Sequence, residues 1–254
     1  MKRITLIVLA GALLATSCDK GGPDFRLEAV DLGLSVRWAS FNLGASRPEG
    51  YGVYYQWADT VDVTSTGIYL DWSNCPYHTG SDEDTGWTKY VPSDKGSYWS
   101  GPGSPDNKTV LDPSDDVAHV KLGGSWRMPT IAEWEELLDN CTWTWTDNYN
   151  GTGVAGRIVT GRKPGYTDKS IFLPAAGYRN GSYLTGDGSN GAYWSSSLGE
   201  DYPNEAYGVF FKSDNVINIF KKRVSLNANP SMLTETVLIY RQEFFANVSY
   251  EFSL

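Results

Sequence analysis

Glycine-rich and aromatic blocks recur along this chain, and they constrain its fold more than any other feature. The 254 residues include 10 Trp, 16 Tyr, 27 Gly and 12 Pro. Frequent Gly and Pro interrupt every long helical period, whereas aromatic residues favour short strands. The pattern therefore excludes a helical bundle and predicts a mixed α+β domain with many turns. The clearest blocks are residues 123–130 (GGSWRMPT), 172–179 (FLPAAGYR) and 193–197 (YWSSS).

The first residues have the pattern of an export signal. A basic pair precedes an apolar run over residues 4–14, which is too short to span a bilayer. Small residues then lead to Cys18, an arrangement that resembles a bacterial lipobox. This predicts removal of residues 1–17, lipidation of Cys18, a tether over residues 18–28, and a place in the cell envelope, at the outer membrane or cell surface. The alternative is an ordinary signal peptide with an incidental cysteine.

The chain left after cleavage is strongly acidic. Removing residues 1–17 leaves 19 basic residues against 30 acidic ones, a net charge of −11. A nucleic-acid-binding protein needs a basic face, so nucleic acid is excluded as a partner. Docking onto anionic lipid by charge is excluded for the same reason, which leaves the lipid on Cys18 as the membrane contact.

Residues 130–140 are the best helix candidate. Thr130 and Glu133 have the spacing of a capping box, and apolar residues recur on one face. Asn140 is expected to end the helix in the left-handed conformation. Glu133 and Glu136 can be interpreted as paired catalytic acids, but a cap and a solvated face are the simpler interpretation.

Strand-like segments surround this helix. Residues 30–39 alternate apolar and polar side chains, and residues 51–58 form a second aromatic strand. Residues 59–118 lack a period but contain scattered Trp and Tyr, so we expect a long irregular excursion that packs onto the domain. After the helix, strands are predicted at residues 142–145, 156–160, 170–173, 192–196, 206–212 and 216–220.

Besides the lipidated Cys18, two cysteines, Cys75 and Cys141, remain after the predicted cleavage. Export permits a disulfide between them, but sequence does not show proximity, so two separate buried thiols are the alternative. His78 lies three residues after Cys75, which is too few ligands for a metal site. Asp187 lies in a Gly- and Ser-rich turn, yet calcium needs roughly six to eight oxygen ligands. No metal or cofactor is expected.

Several of these blocks together resemble the Fibrobacter succinogenes major paralogous domain, a family of exported bacterial lipoproteins. The resemblance covers residues 29–220. It implies a C-type lectin-like domain with twisted antiparallel strands, a few helices and long irregular loops. It also implies a binding surface on loops and strand faces after the Trp-Ser-Ser block. The matching blocks are residues 30–38, 42–45, 123–130, 140–145, 171–180 and 193–197.

The chain departs from this family after Phe220. The family closes on a short strand of the type Ser-Val-Arg-Pro-Val, which residues 223–225 match poorly. Residues 246–254 alternate apolar and polar side chains, which predicts a strand within the divergent segment 221–254. Three interpretations stay open: a replacement for the closing strand, a strand donated to a partner's sheet edge, or a divergent tail.

The expected function is a non-enzymatic module that binds glycan or protein ligands at the cell surface. Aromatic faces stack on sugar rings and anchor protein contacts. Trp38, Trp126, Trp134 and Trp194 lie inside apolar patterns and are expected in the core. The candidate ligand-binding residues, in the turns and strands around Trp194, are Tyr183, Asp187, Asn190, Tyr202, Asn204, Tyr207, Asp214 and Asn215.

Enzymes and structural subunits are the alternative classes of function. Formylglycine-generating relatives use paired cysteines late in the chain, and none follows Cys141. A Ser-His-Asp hydrolase has little support, because His78 and His119 are the only histidines. A glycan enzyme that uses two carboxylates stays an alternative, since 30 acidic residues allow many pairs. The alternating tail supports the other alternative, a fimbrial or adhesive structural subunit.

Overall fold

The chain folds into a mixed α+β arrangement, as predicted. The computed structural model describes residues 26–62, 74–82, 84–180, 183–214, 217–223, 233–236 and 240–241. Within this part of the chain the helices are α1 (Val117–Leu122) and α2 (Ile131–Asn140), with 3₁₀ turns at Ser93–Tyr98 and Tyr149–Gly151. None of the helices described is long and apolar enough to cross a membrane.

Short strands make up most of the regular structure. They are β1 (Ala29–Val30), β2 (Arg37–Ala39), β3 (Tyr54–Tyr55), β4 (Trp126–Arg127), β5 (Cys141–Thr146), β6 (Gly156–Gly161), β7 (Ser170–Pro174), β8 (Tyr178–Asn180), β9 (Tyr183–Thr185), β10 (Asn190–Leu198), β11 (Glu205–Lys212), β12 (Ile217–Arg223), β13 (Leu233–Thr236) and β14 (Tyr240–Arg241). Four antiparallel sheets result, with orders β1-β2-β14-β4, β3-β13-β8-β9, β5-β6-β7 and β10-β11-β12. The strands predicted after α2 are therefore present, some of them longer than expected.

Strands from the C-terminal segment pair with strands from earlier in the chain. β13 lies between β3 and β8, and β14 lies between β2 and β4. β12 continues through Arg223, beyond the limit expected at Phe220. The described part of the segment 221–254 thus joins the sheets of the domain. Residues 246–254, where the alternating strand is predicted, lie outside the described residues.

The core is built around tryptophan rings. The rings of Trp38 and Trp134 lie 4.9 Å apart, and both side chains are fully buried. Trp194 is buried in a second cluster of apolar side chains. The core prediction is thus confirmed for these three residues. Trp126 is only half-buried: it packs against the edge of this second cluster, and it also lines a surface cleft because β4 is an edge strand.

The capping box at the start of α2 is confirmed. The backbone N–H of Glu133 donates to Oγ1 of Thr130, and Oε2 of Glu133 accepts from the backbone N–H of Thr130 at 2.7 Å. Glu133 also pairs with Arg127, and Glu136 accepts from the backbone N–H of Ser35 at 2.9 Å. Both carboxylates therefore have structural partners, which favours the simpler interpretation over paired catalytic acids.

The end of α2 differs from the prediction. Asn140 is the last helical residue, and the chain turns extended at Cys141 with φ −120°. The expected left-handed stop at Asn140 is therefore wrong, because β5 follows the helix with no intervening turn.

A positive φ angle interrupts the predicted strand over residues 30–39: Gly33 has φ +75° and packs against Tyr166. Within that range the structure has only Val30, at the end of β1, and β2 in strand conformation.

The excursion over residues 59–118 packs onto the domain where it is described. Trp87, Tyr90 and Val91 are all at most 4% exposed and join the core around Trp194. The excursion is not wholly irregular, since it contains the 3₁₀ turn and the start of α1. Its fold depends on tertiary packing, because the segment lacks a hydrophobic period of its own.

Cys75 and Cys141 are separate, buried thiols. Both are free, and they lie in different core clusters. The Nε2 group of Gln56 donates a hydrogen bond to Sγ of Cys75 at 2.8 Å. The sequence left two interpretations open, and the structure has the second: two separate buried thiols with no disulfide between them.

Candidate functional site

The predicted binding residues divide between the two ends of β10. Nine residues of extended strand span about 25 Å. Asp187 lies in the exposed turn before β10, and Asp214 follows β11 at that same end, whereas Tyr183 is 74% exposed on β9, in a different sheet. Tyr202 and Tyr207 lie at the other end, on the hairpin that joins β10 to β11. The candidates therefore do not form a single surface.

The remaining candidates have other roles or positions. Asn190 begins β10, and its side-chain amide covers Gly186 in the preceding turn while its carbonyl accepts from the N–H of Gly177 at 2.7 Å. Asn204 is fully buried, so the prediction that it faces a ligand is wrong. The turn before β11 directs this side chain inward, and Tyr202 in the same turn stays exposed. Asn215 lies outside the described residues.

A wide bulge interrupts the pairing of β10 with β11. Trp194 opposes Gly208, but the next paired position joins Leu198 to Ala206. Four steps along β10 therefore match two steps along β11. The three serines of the Trp-Ser-Ser-Ser block therefore lie opposite one residue, Tyr207, so β10 carries two extra residues here. A bulge bends its strand and leaves backbone groups without ladder partners, so those groups need other hydrogen bonds.

The three serines supply these bonds. The Ser195 hydroxyl donates to the carbonyl of Tyr207 at 2.9 Å, and the Ser196 N–H donates to a carbonyl just before α2 at 2.8 Å. Oγ of Ser197 accepts from the N–H of Ile131 at 3.1 Å. The bulge is thereby tied to β11 and to the first residue of α2. Small hydroxyl side chains suit these positions because they can form hydrogen bonds with backbone groups that would otherwise have no partner.

A groove of about 380 Å³ opens beside the bulge. The bulge and β11 form one wall, and residues 109–110 form the other. Backbone bonds hold the walls together: the Leu198 N–H donates to the carbonyl of Thr109 at 2.8 Å, and the Leu111 N–H donates to that of Ser196 at 2.9 Å. The polar side chains along the groove belong to Asp94, Thr109, Ser197, Glu200 and Tyr207.

Ser197 presents an unused hydrogen-bond donor to the groove. The residue is 8% exposed, and its Oγ accepts from Ile131. A serine hydroxyl also carries one proton to donate, and within the described residues that proton has no acceptor. Thr109 is exposed on the adjoining segment, which bridges to the bulge, and its hydroxyl likewise has no partner among those residues. The groove thus offers hydroxyl groups beside the half-buried ring of Tyr207.

A partly buried ionic cluster holds the segment that follows residues 109–110. Nζ of Lys89 lies 2.6 Å from Asp115 and 2.7 Å from Asp112, and the hydroxyls of Tyr77 and Tyr90 both donate to Asp115. Burial alone raises the pKa of Asp115, but the hydrogen bonds from Lys89 and the two tyrosines outweigh it and lower the pKa. Burial and the bond to Asp115 raise the pKa of Tyr77 to about 12.

Sequence reasoning identified Tyr207 but missed most of the groove. Asp94, Thr109 and Val110 lie in the excursion over residues 59–118, which has no local pattern to mark them. Glu200 follows β10, and its position shortly after the Trp-Ser-Ser block could have identified it as a candidate site residue. The other wall reaches the site through contacts between residues about ninety positions apart in sequence, such as Thr109 and Leu198.

Metal binding has no support in the described residues, where no group of three or more His, Cys, Asp or Glu side chains could hold an ion.

The comparisons with known proteins give no guide to function. No protein-family model, curated protein or solved structure matches the chain. The α+β class therefore depends on the structure, and the resemblance to the Fibrobacter succinogenes major paralogous domain stays a prediction.

Proposed function

We propose that this protein is a lipid-anchored, non-enzymatic binding module of the cell envelope that recognises glycans through the groove beside the β10–β11 bulge. The observation that carries the proposal is the unused hydroxyl proton of Ser197 beside the ring of Tyr207. The anchor is the lipid expected on Cys18, which lies outside the described residues. Protein ligands remain the alternative if no glycan binds.

The groove has the chemistry that sugar recognition requires. A sugar ring has an apolar face that packs on an aromatic ring, and its hydroxyls both donate and accept hydrogen bonds. Tyr207 supplies the ring, Ser197 and Thr109 supply hydroxyls, and Asp94 and Glu200 supply acceptors. A volume of about 380 Å³ lies within the roughly 300–1,000 Å³ of small-ligand sites.

The two carboxylates on the groove favour one second candidate, a glycan hydrolase. Asp94 and Glu200 line the same groove, and most glycosidases place a carboxyl group on each side of the scissile bond. Asp94 also lies 3.4 Å from Lys95, so its carboxylate already has a cationic neighbour. Release of reducing sugar from a bound oligosaccharide, lost in Glu200→Gln, would support this candidate over simple binding.

A glycan array tests the proposal. The soluble probe is residues 18–254 with Cys18→Ser, screened with and without calcium. Binding to a defined glycan class is expected, with the same signal in both conditions, since no calcium site is expected. The signal should fall in Tyr207→Ala while the thermal unfolding curve is retained. A blank array in both conditions, with capture of a surface protein instead, would contradict the glycan assignment.

A further inference from the structure

A second, smaller cleft is lined by residues that follow or precede those of the groove in sequence. The cleft has a volume of about 170 Å³. Residues 109–110 border the groove, and Leu111 and Pro113 border the cleft. On the other side, Ile131 borders the groove and Arg127 borders the cleft. Neighbouring residues of two short segments therefore border the two concavities, which places the concavities close together, although none of the lining residues is common to both.

The cleft contains His119, and one hydrogen bond determines the tautomer of its neutral ring. Nδ1 of His119 lies 3.2 Å from the carbonyl oxygen of Trp126. A carbonyl only accepts, so in the neutral ring Nδ1 carries the hydrogen and Nε2 keeps a lone pair. Nε2 has no partner among the residues that the structure describes. His119 therefore offers a hydrogen-bond acceptor in the cleft, beside the half-buried indole of Trp126.

The charged groups of the cleft are already satisfied. Arg127 makes two hydrogen bonds to the carboxylate of Glu133, at 2.7 and 3.1 Å. Asp116 is 3% exposed, and its carboxylate accepts from three backbone N–H groups, those of residues 118, 119 and 128. Among the described residues that line the cleft, Arg127 is the permanent cation, and its pairing with Glu133 leaves it less able to attract an acidic ligand. With a net charge of −11 after cleavage, the chain repels polyanions as well.

The size of the two concavities indicates a chain-like ligand. A cleft of about 170 Å³ is smaller than the roughly 300 Å³ at which small-molecule sites begin. The groove alone is large enough for a small-molecule ligand. The segment 109–113, which borders the groove at one end and the cleft at the other, extends at most about 14 Å. A ligand with repeating units can occupy the groove with one part and the cleft with another, passing over Val110, which is 43% exposed.

We propose that the groove and the cleft are two subsites for a neutral linear oligosaccharide. The sugar in the cleft stacks on Trp126 and donates a hydroxyl hydrogen to Nε2 of His119. The sugar in the groove packs on Tyr207 and bonds with Ser197. This inference rests on the proposed glycan function and adds the ligand's charge, its minimum length and a second set of contacts.

Oligosaccharide series of increasing length test the two-subsite arrangement. Residues 18–254 with Cys18→Ser are titrated with glucose, mannose and xylose, with the cello-, manno- and xylotetraoses, and with tetragalacturonate as the acidic probe. In at least one neutral series, the tetrasaccharide is expected to bind tenfold or more tightly than its monosaccharide. Tetragalacturonate is expected to bind more weakly than that tetrasaccharide.

Variants then assign the cleft. His119→Ala and Trp126→Ala should each weaken tetrasaccharide binding at least about fivefold and leave monosaccharide binding in the groove unchanged. Lys121→Ala, an exposed change on the same helix, is the matched control and should have no effect. Two variants are used because Trp126 also packs against the core and its loss can affect folding, whereas His119 is half-exposed.

The outcomes separate this inference from the function it depends on. Equal affinity for monosaccharide and tetrasaccharide, or wild-type tetrasaccharide binding by His119→Ala, would overturn the two-subsite arrangement and leave glycan binding intact. Tighter binding of tetragalacturonate would overturn the assignment of a neutral ligand. No binding of any of these series would overturn the inference, and a blank glycan array in addition would overturn the glycan function.

Discussion

Oγ of Ser197 lies 3.1 Å from the backbone nitrogen of Ile131 and accepts its hydrogen bond. The last serine of the Trp-Ser-Ser-Ser block therefore satisfies the first backbone donor of α2, one of the donors that a helix leaves without an internal partner. One hydroxyl thus joins the bulge of β10 to the helix and also lines the groove. Ser197 therefore contributes both to the stability of the helix start and to the lining of the proposed binding groove.

Ser197→Ala should destabilise the protein by about 1–2 kcal/mol, because the N–H of Ile131 loses its acceptor in a half-buried position. Thr130→Ala, which removes the cap at the same helix end, should cost about 1 kcal/mol. Urea unfolding curves measure both changes. Ser189→Ala, at an exposed turn, is the control, and an equal loss there would contradict the assigned role of Ser197.

The cluster around Asp115 should make stability depend on pH. Hydrogen bonds lower the pKa of Asp115 in the folded state despite its burial, so its ionised form favours folding. This contribution is present above the unfolded pKa of about 3.9 and is lost as the pH falls through the lower folded pKa. Asp115→Asn should cost about 2–3 kcal/mol at pH 7.

Unfolding free energies measured from pH 7 to pH 3 check this prediction. The gap between Asp115→Asn and the wild type should narrow as the pH falls below about 4. Asp168→Asn removes an exposed carboxylate that pairs with Lys169 at 2.9 Å, and it should leave stability unchanged because solvent screens that pair. A constant gap at every pH would mean that Asp115 contributes packing and not charge.

Both core thiols should be unreactive in the folded protein. Burial raises the pKa of Cys141 to about 11, so almost no thiolate is present at neutral pH. Cys75 is 4% exposed and accepts from Gln56. With Cys18→Ser, a thiol reagent such as DTNB should label neither residue in buffer and two per chain in denaturant. Intact mass spectrometry that shows a loss of two hydrogens would instead indicate a disulfide.

Gly208 should not tolerate a side chain. A Cβ atom at this position would lie 2.6 Å from the carbonyl oxygen of Tyr193 and 2.5 Å from the ring of Phe220. The carbonyl belongs to β10 and has little room to move, so Gly208→Ala should cost about 1–3 kcal/mol. Gly96→Ala is the control, because its nearest neighbour would lie at 3.8 Å. Thermal unfolding of both variants distinguishes them.

The parts of the fold with a local signal could be predicted from sequence. The capping box and one apolar face defined α2, and the strands after it alternate clearly. Near the N-terminus the burial pattern was right, with Leu32, Val36 and Trp38 all buried, but the strand was shorter. Gly33 at φ +75° explains this difference, since a strand cannot continue through that conformation.

The candidate site was harder to predict, because most of it is assembled by long-range contacts. Tyr207 was found from its strand, yet Thr109 and Val110 come from a segment without any period. Asn204 resembled a turn residue with a polar side chain facing solvent, and only the tertiary structure shows that it points inward. Sequence alone also could not separate Tyr183 from Tyr207, which lie on β9 and β11 in two different sheets.

That separation provides the most direct test of the proposed function. The measurement is a calorimetric titration of the strongest array glycan into the wild type, Tyr207→Ala and Tyr183→Ala. Tyr207→Ala should bind at least about tenfold more weakly, a loss of about 1.4 kcal/mol. Tyr183→Ala, the exposed tyrosine outside the groove, should match the wild type. The opposite pattern, with loss only in Tyr183→Ala, would contradict the assignment of the groove as the binding site.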